Sequence, residues 1–160
     1  MKKIFRVLWA SMLVLTLSLG CIGQVQAAST KTYKNKRFHY TMKYPKYFKV
    51  VTKSQNGDGI TLNYKGISLA MYGSKPFKKM TGKKYKKLYK SYGMKMKKTK
   101  VSKYGFYYEE EHVTDVTIYY IRYSKKFKTE AGFYITCPKK KLKSYRKVAK
   151  KIKKSLKFKK

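Results

Sequence analysis

Acid is the scarce component of this sequence: 160 residues contain 6 Asp or Glu against 42 Lys or Arg, a formal net charge of +36. That balance excludes an acidic soluble enzyme and leaves few carboxylates for paired acid-base hydrolysis. Cysteine is nearly absent, with Cys21 and Cys137 alone, and Trp9 is the only Trp. A disulfide framework is therefore excluded. No stretch reads Gly-x-x-x-x-Gly-Lys-Ser/Thr or Gly-x-Gly-x-x-Gly, so the usual loops that cradle nucleotide phosphates are missing. Cys137 with His39 or His112 offers no nucleophile elbow or Cys-Gly-x-Cys context for a nucleophile-base pair. What is present is 42% hydrophobic and 16% aromatic residues, more than a charge-swollen disordered chain carries and enough for one small core.

The first residues read as an export signal. Lys2, Lys3 and Arg6 precede an apolar run from Val7 to Gly20, and Val25-Gln26-Ala27 puts small residues where a signal peptidase needs them. The expectation is a signal peptide at 1–27, a flexible polar leader at 28–36 and a single domain at 37–160. Ser18-Leu19-Gly20-Cys21 resembles a bacterial lipobox, so lipidation at Cys21 is an alternative processing route that would tether the product. Cleavage after Ala27 leaves 39 bases and 6 acids, a charge of +33, and Cys137 as the sole thiol. Its apolar strand context predicts a buried, inert thiol.

Periodicity organises the rest. Phe38, Tyr40, Met42 and Tyr44 alternate with His39, Thr41 and Lys43 up to Pro45, the pattern of a strand with one buried face. Asn56-Gly57-Asp58-Gly59 is a turn, and the alternating Ile60, Leu62, Tyr64 and Ile67, Leu69, Met71 around Lys65-Gly66 predict a hairpin. Thr81 caps a helix with Tyr85, Leu88, Tyr89 and Tyr92 on one face, Lys83, Lys86, Lys87 and Lys90 on the other, and Gly93 as its stop. Strands follow at 94–101, 105–111 and 113–123; the last is apolar on both faces, which suggests a central position. Phe133, Ile135 and Cys137 mark a final strand ended by Pro138. From Lys139 to Leu156, Leu142, Tyr145, Val148, Ala149, Ile152 and Leu156 share one helical arc opposite Lys143, Lys147, Lys150 and Lys154. The expected fold is α+β, an antiparallel β-sheet flanked by a middle helix and a C-terminal amphipathic helix.

On the Phe38-x-Tyr40-x-Met42-x-Tyr44-Pro45 strand, the Gly57-Asp58-Gly59 turn and the closing helix with Tyr145, Ile152 and Ser155-Leu156, the chain resembles the PsbP/Mog1-like group of small exported α/β domains over residues 37–157. That resemblance implies an antiparallel sheet flanked by helices, a non-catalytic accessory or binding role, and no family catalytic residues. The chain departs from the group in its lysine load and in having no Trp after residue 27.

Two clusters invite chemistry. Glu109, Glu111, His112 and Asp115 are metal-ligand types without a recognised spacing, and they read better as acids neutralising neighbouring lysines. Tyr107, Tyr119 and Tyr123 are the tyrosines to test for base stacking. The charge itself is more informative: Arg occurs only at positions 6, 37, 122 and 146, so 38 of the 42 bases are Lys. Lysine is a hydrated point charge that attracts any dense polyanion, whereas bidentate readout needs Arg. The leading expectation is an exported, cell-envelope or secreted, non-enzymatic module without cofactor or metal. It would dock on envelope polyanions or an anionic membrane surface through Lys143, Lys147, Lys150, Lys154, Lys83, Lys86, Lys87 and Lys90. Binding of extracellular DNA or RNA is the alternative, and a basic surface without a specific partner is a third reading.

Overall fold

Ten strands and two helices follow one another over residues 29–159, the part of the chain that the structure, a computed structural model, describes. The expected signal segment, its cleavage after Ala27 and the lipidation at Cys21 lie outside the described residues. Strands β1 (Thr30–Asn35), β2 (Tyr40–Pro45), β3 (Lys49–Lys53), β4 (Gly59–Tyr64) and β5 (Ile67–Ser74) precede helix α1 (Gly82–Ser91). Strands β6 (Met96–Val101), β7 (Gly105–Glu111), β8 (Asp115–Ser124) and β9 (Thr129–Pro138) then lead through a 3-10 turn at Lys139–Lys141 into helix α2 (Leu142–Ser155) and a short β10 (Lys157–Phe158).

The main sheet has seven antiparallel strands in the order β3-β4-β5-β9-β8-β7-β6, and β1-β2-β10 form a second, smaller sheet. The predicted β4–β5 hairpin closes on Lys65-Gly66, with φ of 48° and 77°. Positive φ at both central residues is the pattern of a type I′ turn, whose twist matches that of the paired strands. β8 lies between β9 and β7, and β9 holds the middle of the seven strands.

Strand alternation decides which helix covers which face. On one face Ile118, Tyr120, Phe133 and Ile135 join Tyr40 and Met42 of β2 and Tyr145, Ala149 and Ile152 of α2 in the larger core. On the other, Phe106, Tyr108, Ile121 and Tyr123 meet Met80 and Tyr85 in a smaller one. The two helices therefore sit on opposite faces of the main sheet, the α+β arrangement expected.

One local expectation is corrected. The leader at 28–36 contains β1, which pairs in register with β2 from Thr30↔Pro45 to Asn35↔Tyr40; Asn35 is buried and its amide donates to the Gly57 carbonyl at 2.8 Å. Backbone pairing orders this strand even though most of its side chains are exposed. The face of α1 that carries Tyr85, Leu88, Tyr89 and Tyr92 packs only in part: Tyr85 is buried, Tyr89 is half-buried, and Leu88 and Tyr92 are exposed. The helix is ten residues long and packs over β6 and β7 at the sheet edge, too small a footprint to cover a full stripe.

Candidate functional site

The eight lysines expected to bind polyanions are all exposed, but the fold divides them. Lys83, Lys86, Lys87 and Lys90 lie on α1, and Lys143, Lys147, Lys150 and Lys154 on α2, across the sheet from them. No single patch unites the two stripes.

The structure instead gathers cations at the seam between α2 and the β6 edge. Lys98 and Lys100 of β6, Tyr107 of β7, and Arg146, Lys150 and Lys153 of α2 line a cleft of about 260 Å³. Register explains the convergence: Lys100 pairs opposite Tyr107, whose side chain turns toward α2. Of the expected residues only Lys150 enters this cleft. Lys147 lines a different groove, and Lys143 and Lys154 line neither. Sequence reasoning missed Lys98, Lys100, Arg146 and Lys153, although the two β6 lysines stand at alternating positions in a strand that was recognised.

Behind the cleft sits one buried carboxylate. Arg146 grips Glu109 through Nε to Oε1 at 2.8 Å and Nη2 to Oε2 at 2.6 Å, and the Tyr107 hydroxyl donates to the same Oε1. Burial acts to push the Glu109 carboxyl up, but hydrogen bonds from Arg146 and Tyr107 with the charges of Arg146 and Lys98 overcome it, and the net direction is down. Burial, and then the bond to Glu109, raise the Tyr107 phenol. Lys153 sits 4.9 Å from the Tyr120 ring centroid; partial burial and the Lys100 charge lower its ammonium below the ordinary lysine value. With Glu109 already committed to Arg146, the lysines of the cleft crowd together without a carboxylate of their own. Such a site favours an incoming anion.

Of the remaining acids, Glu111 and Asp58 form ion pairs, whereas Glu130 accepts from the Ser74 and Tyr85 hydroxyls and Asp115 from the Thr114 hydroxyl. Glu111 pairs with Lys97 and, at 2.8 Å, with Lys139; their hydrogen bonds hold its carboxyl down to about 2. Asp58 meets Arg37 at 2.9 Å. Among the described residues no three His, Cys, Asp or Glu side chains are grouped to hold a metal ion. Cys137 is buried in the larger core, and burial, then the Asp115 and Glu109 charges, push its thiol up to about 11. The thiolate that nucleophilic chemistry requires is thus disfavoured.

The three candidate stacking tyrosines separate in the same way. Tyr107 lines the cleft, Tyr119 lies 4.4 Å from Tyr108 in a stacked pair at 7°, and Tyr123 is buried beneath α1. Tyr123 is therefore withdrawn as a stacking platform, because strand alternation turns it into the smaller core. Among the described residues no helix is long and apolar enough to cross a membrane.

No family model matches the chain, and no curated protein matches it in sequence. Solved structures match its fold. The solution structure of cyanobacterial PsbP (CyanoP) from Synechocystis sp. PCC 6803 superposes with a TM-score of 0.62 at 13% identity, covering 88% of this chain and 99% of that one. The Saccharomyces cerevisiae Ran-binding protein Mog1p superposes with a TM-score of 0.56 at 10% identity, covering 82% and 96%. A variant of protein Mog1 gives 0.53 at 9% identity, covering 81% and 96%. The chain has the PsbP/Mog1-like fold.

Proposed function

We propose that the protein is an exported, non-enzymatic binding module that docks on cell-envelope polyanions, with the α2–β6 cleft as its principal seat and the lysine stripes as an outer electrostatic field. The observation that carries this reading is the convergence of Lys98, Lys100, Arg146, Lys150 and Lys153 on one cleft whose nearest carboxylate, Glu109, is already paired. A repeating phosphate polymer supplies closely spaced charge to such a row, and each cation that meets a phosphate releases a counterion. Extracellular nucleic acid is the second reading, favoured by the half-buried Tyr107 beside those cations, since a stacking ring next to basic groups suits single strands.

Retention of the protein on teichoic-acid-bearing wall material, single-stranded DNA and a neutral polysaccharide, followed as salt is raised, tests both. Wall material should hold it most strongly and lose it linearly in log salt. Replacing Lys98, Lys100 and Lys150 by Gln should reduce that slope by ~2–3, about 0.7–0.9 per lost phosphate contact. The same change at Lys83, Lys86 and Lys87 should reduce it less. Stronger retention on DNA promotes the second reading, and equal weak retention on all three supports rejects both.

A further inference from the structure

We propose that the groove on the other side of α2 binds a fatty acid, its alkyl chain along the apolar floor and its carboxylate among the lysines of the rim. The groove runs between α2 and β2 and has a volume of about 470 Å³, within the range of small-molecule sites. Tyr47, Val148 and Ile152 contribute its apolar lining, and Lys43, Lys147 and Lys151 stand around it. The walls are fixed. The Lys43 backbone N–H donates to Ser155 Oγ at 2.8 Å, stitching β2 to the end of α2, and the Tyr47 ring packs 4.5 Å from Tyr64 and 5.1 Å from Phe48 by centroid.

Charge complementarity selects the occupant. None of the four ion pairs among the described residues involves Lys43, Lys147 or Lys151. Lys147 and Lys151 are one helical turn apart on the same edge of α2, and Val148 and Ile152 lie beside them further round the helix, so the two charges border an apolar strip along one side. A polymer phosphate would neutralise the lysines and leave that strip wet. A neutral apolar molecule would cover the strip and leave three cations facing it. A single chain ending in a carboxylate meets both demands, and the lysine stems extend the apolar wall while their ammonium groups stay at the rim.

The site is independent of polyanion docking, and calorimetric titration of the whole chain separates the two. Sodium octanoate, decanoate and dodecanoate, each below its micelle concentration, should bind with affinity rising about fourfold per added methylene. Dodecyl maltoside should bind at least tenfold more weakly than dodecanoate, and inorganic phosphate should not compete. Val148→Trp, which fills the groove, should abolish dodecanoate binding while leaving retention on wall material intact. Lys147→Gln combined with Lys151→Gln, at exposed positions that do not threaten folding, should bring dodecanoate down toward the maltoside value. Affinity independent of chain length, unchanged binding in the double lysine variant, or tighter binding of a dodecanoyl lysophospholipid than of dodecanoate would overturn the assignment. Loss of wall retention with chain-length dependence preserved would reject polyanion docking alone.

Discussion

In a chain whose bases are almost all lysine, Arg146 occupies the place where lysine chemistry fails. Its planar fork meets both oxygens of a carboxylate that is only 3% exposed, a geometry that a single ammonium does not reproduce. Removing the fork leaves Glu109 charged and buried without its main partner. Arg146→Met is expected to cost ~3 kcal/mol, the lower end for breaking such a pair because the guanidinium is itself partly exposed. Arg146→Lys should cost less, since it keeps the charge and loses one of two bonds. Urea denaturation at neutral pH measures both, and a change within ~0.5 kcal/mol for Arg146→Met would contradict a stabilising role. The sequence shows that Arg146 is rare but not what it touches: Glu109 is 37 residues away and arrives by sheet register.

At the scale of elements, the helices were legible and their packing only partly so. Thr81 caps α1 as its position suggested, accepting from the Lys84 N–H at 3.3 Å, and Gly93 follows the helix at a φ of 75°. The first turn of α1 carries no acid, while Lys83 and Lys84 oppose the helix dipole. Thr81→Ala should therefore destabilise the domain by ~1 kcal/mol, and Thr81→Asp should raise stability by ~0.5 kcal/mol, adding favourable charge to a preserved cap. Thermal unfolding of the two variants should show shifts of opposite sign; shifts of the same sign would refute the electrostatic half of the argument. α2 buries Tyr145, Ala149 and Ile152 as its 3.6-residue period required. β1 escaped notice for the opposite reason. Its side chains are mostly exposed, and its order comes from main-chain bonds to β2, which leave no trace in hydrophobic periodicity.

Across the whole molecule, six acids face 42 bases, so each paired carboxylate matters more than in a balanced protein. Glu111 is held from its ordinary 4.5 down to about 2 by Lys139 and Lys97, and the net direction at Glu109 is also down. A carboxyl lowered by folding contributes stability that is complete above its unfolded value and is lost as pH falls through its folded one. The unfolding temperature should hold above pH 4.5 and decline from there toward about 2. Glu111→Gln should flatten the decline, and a curve identical to that of the parent would exclude Glu111 from the acid transition.

The sequence alone determined the fold class, the hairpin, both helices and the buried Cys137, because each is written in local period, turn chemistry or composition. It also determined that the molecule is a lysine-rich cation. The tertiary structure decided where that charge is concentrated. Alternation sent α1 and α2 to opposite faces and split the two expected stripes, while strand register brought Lys98 and Lys100 beside Arg146, Lys150 and Lys153. The apolar groove beside α2 exists only because β2, from the start of the domain, closes on the final helix. Convergence of residues distant in the chain is a property of sheet pairing and layer packing, and no local pattern encodes it.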